Sequence, residues 1–275
     1  MSTPGLRASP DANAAAWIVS GVRGFDHTVG SIVPPVFEAY ARVFHPAARG
    51  SGTDEAAVSW AEVASANGRV MHPAAEWGSL TGSWRKERSR QPGLWDTEPA
   101  TGRIPCDVAE RLAAILSGHS AMPSLGFFAV WDGWGIPMPM FLFTDDTPEE
   151  DRKRARDASD AELGALRGLI HSAATFQVPH RRMHLLTGPV AAIEDFDLPG
   201  ARRRLCGVDP PLLWWPADEV WCVGTDIDLM TTYVGGSGAA IEALLADGPL
   251  EALQVQDTQS VTWEADTINP LPGHP

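Results

Sequence analysis

Asp226 and Asp228 stand two residues apart at the end of an otherwise apolar stretch, Val220-Trp221-Cys222-Val223-Gly224-Thr225-Asp226-Ile227-Asp228. Carboxylates at i and i+2 of an extended chain share a face, and with His184 from a neighbouring strand they would offer two oxygens and a nitrogen to a divalent cation. The simpler reading, and the one the spacing favours, is that Asp226 closes a strand and Asp228 shapes the turn after it. Arg182 and His184 alternate onto one face of their own segment and could hold a carboxylate or phosphate; solvent exposure explains them equally well. The run from Thr232 through Gly235-Gly236-Ser237-Gly238 to Leu245 reads as strand, glycine turn and helix, a junction whose free backbone N–H groups attract an anion. No lysine follows at Walker spacing and no G-x-G-x-x-G is completed, so Ser237 serves at least as well as a helix N-cap.

Ser237 as a nucleophile lacks its frame, because Ala239 stands where G-x-S-x-G requires glycine. His184 with Asp226 or Asp228 would complete a triad only through a tertiary coincidence. Tryptophan is the compositional oddity, with 11 copies against 2 tyrosines. Trp84, Trp95, Trp131 and Trp134 fall in or near expected loops, where an indole can stack on a ligand or a partner's apolar anchor, while core packing accounts for most copies. Trp134, between glycines, is the best placed for binding. The candidate ligand-binding set is therefore Trp134, Arg182, His184, Gly235, Gly236 and Ser237, with no metal, no cofactor and no catalytic residue assigned.

Short strands and amphipathic helices must position these groups. Val36 to Phe44, after Pro34-Pro35 and before His45-Pro46, has apolar residues three and four apart and reads as a helix. Ser59 with Glu62, Asp107 with Glu110 and Ser159 with Glu162 have capping-box spacing, and Gly68 and Gly118 would stop the first two helices in the left-handed conformation. Strands are expected at Leu125 to Trp131, Met138 to Phe143, Arg182 to Leu186, Val220 to Asp226 and Thr231 to Val234, with weaker ones at Leu253 to Val255 and Val261 to Trp263. The crossovers are too short for regular βαβ winding, so the expected class is α+β, a mixed or mainly antiparallel sheet with flanking amphipathic helices. Residues 144 to 160, crowded with charge, read as a loop inside a single globular domain spanning 1 to 275 with loose termini.

The chain has 275 residues, enough to bury a large core without disulfides or a structural metal. Cys106, Cys206 and Cys222 form no C-x-x-C pair and read as buried thiols, which suits a reducing, cytoplasmic location. Residues 1 to 15 show no signal-peptide pattern, and no apolar run approaches the roughly 20 residues that cross a bilayer. A formal charge of -14 repels phosphate backbones, so nucleic acid and membrane are not expected partners; a protein with a basic surface is. His45, His72 and His119, each beside an element end, are expected to be satisfied or exposed rather than catalytic.

The segments Trp214-Trp215-Pro216-Ala217-Asp218, Thr232-Tyr233-Val234-Gly235-Gly236-Ser237 and Tyr40-Ala41-Arg42-Val43-Phe44-His45-Pro46 resemble those of an uncharacterised actinobacterial protein family. The resemblance implies no activity, cofactor, oligomeric state or site residue. The expectation is a non-catalytic cytoplasmic binding or adaptor protein that recognises a basic protein partner. The alternative is an enzyme or small-ligand receptor using the Gly235 to Gly238 turn for an anion.

Overall fold

The computed structural model describes residues 5–24, 26–50, 55–84, 91–133, 148–196 and 210–272. The fold is α+β, and the strands of its main sheet pair antiparallel. In chain order the elements are β1 (Arg7–Ala8), α1 (Ala16–Gly21), β2 (Ala39–Phe44), β3 (Ala47–Arg49), β4 (Ala56–Val58), α2 (Trp60–Ala66) and α3 (Trp77–Thr81). There follow α4 (Cys106–Ser117), β5 (Gly126–Trp131), α5 (Glu149–Ser172), β6 (Thr175–Val178) and β7 (Arg181–Gly188). The chain continues with β8 (Leu213–Pro216), β9 (Cys222–Thr225), β10 (Thr231–Gly236), α6 (Gly238–Leu245) and β11 (Ala252–Val255). The main sheet runs β1-β7-β5-β8-β9-β10-β2-β11, and β6 pairs with the part of β7 that β1 leaves open.

Within the Val36 to Phe44 segment, where the residue spacing suggests a helix, Ala39–Phe44 is a strand and residues 36–38 form a turn before it. β2 pairs along its whole length with β10, and β11 takes its other edge. Both faces of β2 are covered, so its sequence is almost continuously apolar and shows no clean period of two. Ala41 and Val43 face a core with Phe128, Leu186, Trp214, Val223 and Val234, closed by α4, α6 and the end of α5. Tyr40 faces the opposite core with Met183, Leu185, Leu213, Trp215 and Tyr233, covered by α1 and residues 29–33.

Residues 149–160, expected as a charged loop, lie instead in the helix α5. Glu149, Glu150 and Asp151 occupy its first turn, where acids oppose the positive end of the helix dipole, and its arginines and alanines are good helix formers. Leu166, Leu169 and Ile170 in its last turns pack on the core, whereas residues 149–160 hold no large apolar residue, so the sequence there has no amphipathic stripe to betray a helix. Residues 144–147 and the Met138 to Phe143 segment lie outside the described residues. Ser59 caps α2 as the spacing predicts, accepting from the Glu62 N–H at 3.0 Å, and Gly68 follows in the left-handed region at φ 62°. Asp107 is not a cap, because α4 already begins at Cys106, and Gly118 ends it in the right-handed region. Ser159 and Glu162 fall inside α5. Val261 to Trp263 forms no strand; beside it Ser260 makes one isolated bridge to Thr28.

A second lobe, built from residues 44–50, 55–84 and 91–95, carries its own aromatic core. Phe44, Trp60, Trp77 and Trp95 follow one another with ring centroids 5.0 to 5.2 Å apart, a tilted and edge-to-face series that aromatic quadrupoles favour. His45 ties this lobe to the sheet. Its Nδ1–H donates to the Ala100 carbonyl at 2.7 Å, which leaves Nε2 as the acceptor for the Thr232 hydroxyl at 2.8 Å. Thr232 in turn accepts from Thr225 at 2.7 Å, so a neutral imidazole satisfies every member of the series.

Cys106 is disulfide-bonded, contrary to the expectation of three free thiols, and Cys222 is a buried free thiol. Cys206 lies outside the described residues. A disulfide removes the argument from free thiols to a reducing compartment. Among the described residues no helix is long and apolar enough to cross a membrane.

Two measurements check these features. Burial pushes the Cys222 thiol far up, so thiol titration of the unreduced protein should find it silent when folded. One thiol per chain should react in denaturant and three after reduction; three without reduction would show Cys106 unpaired. Burial likewise lowers the His45 pKa to about 4 from 6.5. Below pH 6.5 the unfolded chain takes up a proton that folded His45 refuses, so stability falls as pH drops towards 4, by on the order of 3 kcal/mol. Urea unfolding at stepped pH should show this slope in the native chain and a shallower one in His45→Gln.

Candidate functional site

A cavity of about 510 Å³ opens where β9 ends and β7 begins. Ile32, Val178, Met183, Leu212 and Leu213 form apolar walls, and Glu76, Arg181, Asp226, Asp228 and His27 supply charged and polar groups. Trp263 stands at its edge with 42% of its surface exposed. The size lies within the roughly 300 to 1,000 Å³ common for small-ligand sites, and apolar walls with a few convergent polar groups are their usual chemistry.

One of these groups, Glu76, is held by a buried arginine. Arg42 lies on β2, between β10 and the edge strand β11, with its side chain 2% exposed, and its Nη2 donates to Glu76 Oε1 at 2.8 Å. Nη1 donates to the Pro73 carbonyl at 3.1 Å and Nε to Thr231 Oγ1 at 3.3 Å, while the guanidinium carbon sits 4.8 Å from the centre of the Phe44 ring. Its donors thus find oxygens and an aromatic face rather than water. Burial pushes the Glu76 carboxyl above its ordinary range, and Arg42 pulls it back. Burial also raises the neighbouring Tyr233 phenol.

Asp266 fixes the backbone of Glu76. Its Oδ2 accepts from the Glu76 N–H at 3.3 Å, and its Oδ1 lies 2.8 Å from His72 Nε2 and accepts from the Asn269 N–H at 2.8 Å. Burial works to raise Asp266, but the Asn269, His72 and Glu76 hydrogen bonds outweigh it and hold the carboxyl low. The segment that carries Trp263 is therefore anchored beside Glu76 by its own aspartate.

On the opposite side, Arg181 Nη1 donates to Asp226 Oδ2 at 2.6 Å and the guanidinium lies 5.7 Å from the centre of the Trp131 ring. Asp226 Oδ1 accepts from the Asp228 N–H at 3.1 Å, and the Leu229 N–H reaches the Asp226 carbonyl. The turn reading of this aspartate pair is the arrangement observed. Arg42 balances Glu76 and Arg181 balances Asp226. The exposed Asp228 carboxylate forms no ion pair among the described residues and leaves the cavity with a negative excess.

His184 does not join the aspartates. Its Nε2 bonds Asp132 Oδ1 at 2.7 Å, which lowers the Asp132 carboxyl, and its ring packs against His171. Arg182 is exposed and pairs in register with Gln177. Gly235 lies opposite Cys222, four residues before Asp226, so about 13 Å of strand separates the glycine turn from the cavity. At that turn Ser237 caps α6 through the Ala240 N–H at 3.2 Å, and the Gly238 N–H donates to Glu38 Oε2 at 2.9 Å. A carboxylate of the chain itself thus sits where an external anion was expected. Gly235 is required by crowding, since a Cβ there would lie 2.4 Å from the Phe37 ring. Gly236 is buried. Trp134 lies outside the described residues.

Among the tryptophans expected in loops, Trp95 is fully buried, Trp84 packs edge-on to Trp263, and Trp131 lies under Arg181. Arg42, Glu76, Arg181 and Trp263 are the site residues that spacing did not single out. One signal was present: Arg42 is the lone charge in Tyr40-Ala41-Arg42-Val43-Phe44. No family model matches the chain, and no curated protein or solved structure does.

Removing Glu76 leaves a buried guanidinium uncompensated, so Glu76→Ala should cost about 3 to 5 kcal/mol of stability. The double variant Arg42→Met/Glu76→Leu should lose clearly less. Equal losses by denaturant unfolding would show that the pairing is not what holds this junction.

Proposed function

We propose that this chain is a binding protein for a small organic cation with an apolar body, held in the cavity beside Asp226. The observation that carries the reading is the unbalanced Asp228 carboxylate at a cavity whose walls are otherwise apolar and whose other acids are already paired. A protonated amine or amidine would complete that balance, and the exposed indole of Trp263 offers a face for the same cation. The overall charge of -14 raises the local concentration of cations and speeds their encounter. Glu76, fixed by Arg42 and Asp266, and Asp226, fixed by Arg181, line the cavity in set positions, so little of the wall has to reorganise on binding.

The glycine turn is not part of this proposal, because Glu38 and Ser237 already use its backbone donors. A cytoplasmic setting is not part of it either.

Benzylammonium, benzamidinium and phenethylammonium, set against benzoate and phenylacetate of similar size, provide the test by calorimetry and tryptophan fluorescence. The cations should bind and the anions should not. Asp228→Asn should weaken the cations about tenfold without a change in the unfolding midpoint, since Asp228 is exposed. Preference for the carboxylates, or no binding of any cation at millimolar concentration, would sink the proposal.

A further inference from the structure

The chain after β11 crosses from the sheet to the aromatic lobe along one side of the cavity. Its near end, residues 257–261, runs against residues 27–30, where the Gly30 and Val29 N–H groups donate to the Asp257 and Gln259 carbonyls at 2.8 and 3.0 Å. The Val261 N–H returns a bond to the His27 carbonyl at 2.9 Å, and Arg23 pairs with Asp257 at 2.5 Å. Val261, Thr262 and Trp263 then form part of the cavity wall.

The far end is fastened differently. His72 Nδ1 accepts from the Ala74 N–H at 3.3 Å, which leaves its Nε2–H to donate to Asp266 Oδ1 at 2.8 Å. Asn269 Oδ1 accepts from the Val70 N–H at 2.8 Å and Asn269 Nδ2 donates to the Val70 carbonyl at 2.9 Å, so one side-chain amide closes a two-bond clasp on the lobe's backbone. Among the described residues 264–272, only Asp266 and Asn269 are buried. The large apolar side chains of that stretch, Ile268 and Leu271, are exposed. Trp84 adds an edge-on contact to Trp263 at 5.6 Å and a bond from its Nε1–H to the Pro272 carbonyl at 3.3 Å. Hydrogen bonds rather than apolar burial therefore hold the far end, and a segment with few buried apolar contacts opens at a smaller free energy than the core it rests on.

We propose that residues 262–272 are a gate to the cavity. The clasp made by Asp266 and Asn269 lets go of Val70, His72 and Glu76 while the sheet and the lobe stay folded. The chain then turns about its ladder with residues 27–30, and Trp263 swings clear of the cavity edge. The charges inside survive the movement, because Arg42 still holds Glu76 and Arg181 still holds Asp226. Closing restores the wall that Thr262 and Trp263 supply. What the gate admits rests on the small-cation reading above; the movement does not, so its test uses an uncharged probe and no ligand.

The probe is methyl methanethiosulfonate, a small neutral thiol reagent, applied to the full chain carrying Met183→Cys, a buried position on the cavity wall. Cys222, fully buried, labels only on unfolding and reports that event in the same molecule. Peptide mapping should show slow labelling at position 183. Adding Asn269→Ala, which removes both bonds to Val70, should speed that labelling at least about tenfold while Cys222 stays unlabelled. In the unaltered chain the Val70, Ile268 and Asn269 amides, all bonded within the clasp, should exchange hydrogen much faster than those of β2 and β10. Those amides decide the matter if Asn269→Ala does not fold. Unchanged labelling, labelling of Cys222 in step with position 183, or labelling of Met183→Cys at the rate of a free thiol before the second substitution would overturn the proposal. Clasp amides as protected as those of the sheet would overturn it too. A chain whose gate passes these tests but that binds no benzylammonium would lose the small-cation reading and keep the gate.

Discussion

A guanidinium buried on β2, one strand in from the edge of the sheet, is the constraint around which the two lobes are arranged. Arg42 cannot shed its charge, and leaving that charge unpaired in the interior would cost several kcal/mol. Glu76, the Pro73 carbonyl and Thr231 must therefore be brought to it, and the first two belong to the aromatic lobe while Thr231 belongs to the sheet. The lobe cannot rotate away without stranding the ion. His45 repeats the arrangement in neutral form, tying the sheet threonines to the Ala100 carbonyl.

The same constraint shapes the cavity. Because Arg42 holds Glu76 by one oxygen and Asp266 holds its backbone, a carboxylate is presented at a fixed place among apolar walls. Asp266 also anchors the segment bearing Trp263, so the indole at the edge and the carboxylate inside are positioned by one hydrogen-bonded knot. On the far side the Arg181 to Asp226 pair fixes the turn that displays Asp228. Pre-organised charges of this kind suit recognition, since little side-chain ordering remains to be done when a ligand arrives.

Several features were legible in the residues alone. The antiparallel character of the sheet followed from short crossovers, the Ser59 cap from its Glu62 partner, and the Asp226 to Asp228 turn from carboxylate chemistry. The errors share a cause. β2 hides its period because both faces are buried, and α5 hides its first half because residues 149–160 hold no large apolar residue that would mark a stripe. Gly235 and Ser237 suggested an anion site from sequence, but the donor they expose is already met by Glu38, about 200 residues earlier, at 2.9 Å.

Composition and local pattern by themselves determined the class of fold, the acidic surface, the burial of most tryptophans and the positions of several caps and turns, because these depend on propensities and periods that neighbouring residues carry. Tertiary structure alone decided which charges meet. Arg42 and Glu76 are 34 residues apart, Arg181 and Asp226 45, and Glu76 and Asp266 190. No spacing rule links such pairs; strand register and the docking of one lobe on another bring them together, and with them the cavity and its unbalanced carboxylate.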